Sequence, residues 1–271
     1  MGATPDTIWR VPAYLPYLQP PLTDKILAQA EQQIGQKLPQ EFVALLRQQN
    51  GGYLRYSLPE SPHEKIAGIG PHFPSLTDFD WDECQDWVSF PLQGLVPFDG
   101  DGHWHLCLDY RKNAKNPAVS YIDIECDSQS LKAETFAAYL NKLQLNVENE
   151  YVLTGVADID QLIAQLSKAL KAKFYPPDSS DQGYTLYRGQ AGTSERPAWI
   201  WLSTNKALRG FVREEDDRYE ELKDLMPGFA PRFPGVPAEA YILGASESIL
   251  AKVISAVAGL GYSARPLHEC I

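Results

Sequence analysis

Residues 95–109, LVPFDGDGHWHLCLD, hold two apolar runs parted by Asp99-Gly100-Asp101-Gly102. An Asp that can bond its own backbone, followed by a Gly that accepts positive φ, is the chemistry of a tight reversal, so the stretch predicts a β-hairpin. From His103 onward a period of two puts Trp104, Leu106 and Leu108 on one face and His103, His105, Cys107 and Asp109 on the other. The first face reads as core, the second as a partly exposed polar surface.

Working outward, the segments before the hairpin read as helices. Thr23 or Asp24 can cap a helix in which Ile26, Leu27, Ala30 and Ile34 recur at helical spacing, and Gly35 ends it. A second helix has Pro39 in its first turn, Phe42, Leu45 and Leu46 on one face, and Asn50-Gly51-Gly52 as its stop. Residues 1–21, rich in Pro and aromatics, suit an extended arm laid on the surface. After the hairpin, Asn116-Pro117-Ala118-Val119 leads a strand with Tyr121 and Ile122. A helix with Phe136, Tyr139 and Leu140 follows. Helices outside and turn-linked strands in the middle predict an α+β domain.

These motifs, in this order and spacing, resemble the SMI1/KNR4 domains of the SUKH superfamily. The carriers are Ile34-Gly35, Leu38-Pro39-Gln40-Glu41-Phe42, Leu45-Leu46, Asn50-Gly51-Gly52 and the segments from Leu95 to Leu140. The resemblance covers residues 23–145. It implies a mainly antiparallel sheet flanked by helices and a non-enzymatic protein-binding module. In bacteria it implies an immunity protein that neutralises a cognate toxin, often a nuclease; in fungi it implies a scaffold that regulates cell-wall assembly.

The chain carries a formal charge of −11, and the charge is uneven. Residues 1–150 hold 20 acidic against 11 basic side chains, whereas residues 151–271 hold 15 against 13. Such a first half is a poor surface for nucleic acid, whose phosphates need Lys and Arg, and a good one for a basic protein. The sharpest feature is SLTDFDWDECQDWVSF, where Asp78, Asp80, Asp82, Glu83 and Asp86 are interleaved with Phe79, Trp81 and Trp87. Asp78, Asp80, Trp81, Asp82, Glu83, Asp86 and Trp87, together with Asp99 and Asp101 of the turn, form the expected partner-binding face. The plainer alternative is a solvated segment whose aromatics turn inward.

Catalytic and metal readings fare worse. The chain has no nucleophile elbow, P-loop, dinucleotide fingerprint or zincin motif. A calcium loop starting at Asp99 would need an acid at its twelfth position, which is Tyr110. His103, His105 and Cys107 share a predicted face, but no paired ligand spacing follows them. Asp123 and Glu125 fall on one face of a predicted strand at generic spacing, so no catalytic residue, metal or cofactor is expected. Cys84, Cys107, Cys126 and Cys270 form no framework. With neither a leader nor a membrane-length apolar run, the chain reads as cytoplasmic with free thiols.

A second domain, residues 149–271 after residues 1–148, is expected to be a small α/β sandwich, loosely ferredoxin-like. Its elements are a strand near residue 151, a helix capped by Asp158, two strands around 184–188 and 198–202, an exposed helix over 214–225, a strand at 241–243, a helix over 247–258 and a strand at 262–267. Gly244-Ala245-Ser246-Glu247-Ser248 precedes that last helix, either as an anion site or, more simply, with Ser246 as an ordinary N-cap. The alternative to the immunity reading is a regulatory or scaffolding protein whose second domain binds a different partner or a small ligand.

Overall fold

The computed structural model describes residues 7–81, 84–145, 147, 149–178, 182–193 and 196–271. The chain divides into two compact units, Met1–Asn146 and Val147–Ile271.

In the first unit, α1 (Asp24–Ile34) starts at Thr23, whose hydroxyl accepts from the Ile26 N–H, and stops at left-handed Gly35. Helix α2 (Gln40–Gln48) buries Phe42, Leu45 and Leu46. A two-stranded pair, β1 (Gly52–Tyr53) with β2 (Lys65–Ile66), follows. The main sheet then runs β3 (Leu95–Gly100), β4 (Trp104–Asp109), β5 (Ala118–Asp123) and β6 (Ser128–Ala133), with every neighbour antiparallel. Helix α3 (Phe136–Lys142), capped by Thr135, closes the unit.

The Asn-Gly-Gly motif is a structural staple. The buried Asn50 amide donates to the carbonyls of Pro20 and Ile69 and accepts the Ile69 N–H, as a strand neighbour would. Gly51, at φ 95°, lies so close to Gly68 that a Cβ would come within 2.7 Å of its nitrogen. A side chain there would force the two backbones apart.

Two expectations are corrected. The stretch after residue 6 is not a surface arm: Ile8 and Trp9 are buried in the main core, stitched by Arg10 N–H to Tyr53 O and Arg55 N–H to Ile8 O. The second face of β4 is not an exposed polar surface either. Cys107 is fully buried with Leu92, Leu95, Ile122 and Ile124, and Trp81, Val88 and Phe90 pack over this group. The sheet therefore carries a core on each side, the larger built by Leu106, Leu108, Phe42, Phe98, Phe136 and Tyr139 beneath the helices. Period-two counting fails because the acid-rich segment covers the polar-looking face.

In the second unit, β7 (Glu150–Thr154), α4 (Ile159–Leu170), β8 (Lys173–Phe174), β9 (Leu186–Thr193), β10 (Arg196–Thr204), β11 (Lys206–Leu208), α5 (Tyr219–Leu222), β12 (Phe229–Pro231), β13 (Tyr241–Ala245), α6 (Glu247–Gly259) and β14 (Ser263–Pro266) follow in order. The six-stranded sheet is ordered β14-β7-β13-β10-β9-β8 and is antiparallel throughout. Strands β7, β10, β13 and β14 with α4 and α6 give the β-α-β-β-α-β succession of ferredoxin-like folds, extended at one edge by β9 and β8. Leu162 and Leu166 of α4 and Val253 and Val257 of α6 pack on Ile200, Leu202 and Leu243.

The exposed helix expected over 214–225 shrinks to α5, with Leu222 buried. Four consecutive acids, Glu214 to Asp217, repel one another. Asp216 instead accepts the Arg213 N–H in a local turn.

Candidate partner-binding surface

The acid-rich segment is pinned at several points. Trp81 is half-buried, and its indole N–H donates to the Leu95 carbonyl at 2.9 Å. The Gln85 amide donates to Phe90 O at 3.0 Å and accepts the Leu92 N–H at 2.9 Å. Upstream, Gln19 grips the loop at 72–74 by donating to the carbonyls of His72 and Pro74 and accepting the His72 N–H. An acidic run that would repel itself in isolation is thus held against the sheet by one aromatic anchor and two glutamine clamps.

Of the residues expected to meet a partner, several face outward. Asp78, Asp80, Asp86 and Trp87 are exposed, Trp87 at 64%. Asp101 is exposed in the hairpin turn and accepts the N–H groups of His103 and Trp104 at 2.9 and 3.1 Å. Slight burial would raise its carboxyl pKa, but these backbone bonds outweigh that and hold it below its ordinary value. Asp82 and Glu83 lie outside the described residues. Asp86 and Trp87 sit on a 3-10 turn, Gln85–Trp87.

Asp99 is corrected. A register shift between Pro97 and Asp99 pairs Asp99 with Leu106 and so turns its side chain to the main core. There it is fully enclosed. One oxygen accepts from His63 Nδ1 at 2.7 Å and from the N–H groups of Glu64 and Lys65, and the other lies 2.9 Å from Lys65 Nζ. His63 Nε2 in turn meets the Tyr139 hydroxyl at 2.5 Å. Burial alone would push the Asp99 carboxyl up; its bond and charge interaction with His63 and the Lys65 ammonium prevail and hold it below its ordinary value. Asp99 belongs to the interior and offers nothing to a partner.

Two grooves flank the Phe79 ring. One, about 350 Å³, runs between Phe73 and Asp78 on one side and Asp101 and Gly102 on the other, over Pro97, Phe98 and His105. The other, about 550 Å³, is bounded by Asp80, Trp81, Gln85 and Ile34. Phe73, 76% exposed, and Phe79, 37% exposed, stand at the first groove's wall. Sequence reasoning did not single out Phe73, because one aromatic between His72 and Pro74 carries no periodicity.

The predicted His103/His105/Cys107 face does not converge on a ligand. His103 points outward and pairs with Glu125 at 2.8 Å. His105 is buried under the rings of Phe79 and Trp81, at 4.6 and 5.2 Å. Burial pulls its pKa down to about 4 against the opposing charges of Asp101 and Asp99, and its Nε2 has no hydrogen-bond partner among the described residues. Burial likewise pushes the Cys107 thiol well up. Asp123 and Glu125 are not a strand pair: β5 ends at Asp123, whose carboxylate accepts the Cys126 N–H. Among the described residues no group of three or more ligating side chains is placed to hold a metal, and no helix is long and apolar enough to cross a membrane.

Residues 21–142 match the model of the SMI1 / KNR4 family (SUKH-1). No curated protein and no solved structure matches the chain. A domain of this family fits a protein-binding role, of the immunity type or regulatory.

Proposed function

With an SMI1/KNR4 domain at residues 21–142 as the premise, we propose that the first unit is an immunity-type inhibitor that binds and neutralises a basic toxin domain. The observation that carries this reading is the face around Phe79. Asp78, Asp80 and Asp101 stand exposed beside two grooves and beside uncovered aromatics at Phe73 and Phe79. Carboxylates steer a basic partner and set its orientation, while aromatic anchors in grooves supply the contacts that slow its release. A nuclease is the natural target class, because a surface built to meet phosphates is basic and accepts a carboxylate array in their place. Exposed Asp86 and Trp87 are further contact candidates, and the binding is non-catalytic.

The test is capture from the native host with the intact chain as bait, eluted by a salt gradient, beside a variant carrying Asp78→Asn, Asp80→Asn and Asp101→Asn. A basic toxin domain that the intact chain retains and the variant releases at much lower salt supports the reading. Recovery of a cell-wall or signalling assembly with no toxin, equally by both baits, overturns it in favour of a scaffold.

A further inference from the structure

The second unit's sheet has one face covered by α4 and α6 and another whose side chains follow the opposite parity. Strand register lines up Arg188 with Trp201, Trp201 with Gly244, and Gly244 with Glu150, one row across four strands. Gly244 is required there: a Cβ would fall 2.0 Å from Trp201 Nε1, so the indole lies across the bare backbone of β13. Trp199, two residues before Trp201, shares its face and is 39% exposed. Above this bed is a cavity of about 490 Å³, within the range of small-molecule sites.

The charge inside it is organised. The Arg232 guanidinium stacks on the Tyr184 ring, 3.8 Å from its centroid, and donates from Nη1 to Ser203 Oγ at 2.6 Å. Those contacts fix the plane of the fork before any ligand arrives. Exposed Arg188 leans on half-buried Asp178 at 3.4 Å, a surface pair of the kind that contributes little. Among the described residues that line the cavity, Arg188 and Arg232 accompany one carboxylate, Glu150, whose proton affinity burial raises against the pull of Arg232. At the rim, the Ser246 hydroxyl accepts the Trp199 N–H at 2.9 Å. Ser246 thus holds the expected N-cap position of α6 without a side-chain cap bond, and its hydroxyl locks the wall of the cavity to β10.

We infer that this cavity is a binding site for a small flat ligand bearing a carboxylate or phosphate group, which Arg188 and Arg232 grip while its ring lies against the tryptophans. Forked guanidiniums match both oxyanions, and an indole surface set in a polar rim favours a planar body over a bare ion. The site is independent of the first unit's acidic face.

The experiment uses the full chain and four probes: adenosine 5′-monophosphate and indole-3-acetate, with adenosine and indole as their uncharged counterparts. Binding is followed by saturation-transfer NMR and calorimetry at low salt. At least one anionic probe should bind at least about tenfold more tightly than its neutral counterpart, and which one does separates phosphate from carboxylate. Arg188→Gln, at an exposed position, and Arg232→Lys, which keeps the charge but loses the fork, should each weaken that probe about tenfold. Equal binding of charged and neutral probes, or unchanged affinity in Arg188→Gln, overturns the inference. Arg188→Gln decides the matter even if Arg232→Lys fails to fold.

Discussion

Replacing Asp99 by Ala is the sharpest test of how the first unit is held together. The substitution removes a carboxylate that is wholly enclosed and leaves five donors behind: His63 Nδ1, the N–H groups of Glu64, Lys65 and Gly100, and the Lys65 ammonium. The Lys65 side chain is itself only 15% exposed. Breaking a buried charge pair by removing one partner costs about 3–5 kcal/mol, and a buried donor left unmade costs about 1–3 kcal/mol. These overlap, because Lys65 can turn outward, so a loss of about 4 kcal/mol is expected. Asp99→Asn, which keeps the shape and one acceptor, should lose about 2 kcal/mol. Hydrogen exchange read by mass spectrometry over β3, β4 and α3 measures the loss directly, with α4 and α6 of the second unit as the internal reference. The pH dependence adds an independent check. Because the folded carboxyl binds its proton more weakly than the unfolded one, its contribution is fully present above about pH 3.9 and is lost as pH falls through the lower folded value. Asp99→Asn should flatten that acid limb. A loss below about 1 kcal/mol for Asp99→Ala would refute the reasoning and place the carboxylate in water.

Other outcomes follow from the same structure. His105, lowered to about 4 by burial, stays neutral when folded while its unfolded form gains a proton below about pH 6.5. The first unit should therefore lose on the order of 3 kcal/mol between pH 6.5 and 4, and His105→Gln should remove that slope in hydrogen exchange. Asp158→Ala deletes the side chain that accepts the Gln161 N–H at the start of α4 and should cost about 1 kcal/mol, read as faster exchange in α4 alone. Gly244→Ala should displace Trp201, shifting tryptophan emission and destabilising the second unit by about 2 kcal/mol in urea titration. Under native conditions iodoacetamide should modify exposed Cys126 first and buried Cys107 last, Cys107 reacting only as fast as the first unit opens.

The sequence by itself determined the elements whose local chemistry is strong. Thr23 and Asp158 cap their helices because each has a side-chain oxygen just before an apolar stripe. Gly35 and the Asn50-Gly51-Gly52 stop end theirs, and the hairpin at 95–109 forms because turn chemistry and alternation agree. Gly35, the Asn50-Gly51-Gly52 stop and the hairpin also carried the family resemblance. Strand β6, SQSLKA, was invisible, since four of its six residues are exposed and nothing alternates; it exists because β5 offers an edge that needs pairing. The acid-rich segment could be seen but not oriented. Only the fold decided that Trp81 turns in, that Phe79 stands between two grooves, and that a one-residue register shift buries Asp99 while Asp101 stays in water. The row from Arg188 to Glu150 lay equally out of reach, because its four members come from strands far apart in sequence. Caps and turns are written in neighbouring residues, whereas faces, registers and cavities depend on which distant strand lies alongside, and a single chain of letters does not state that.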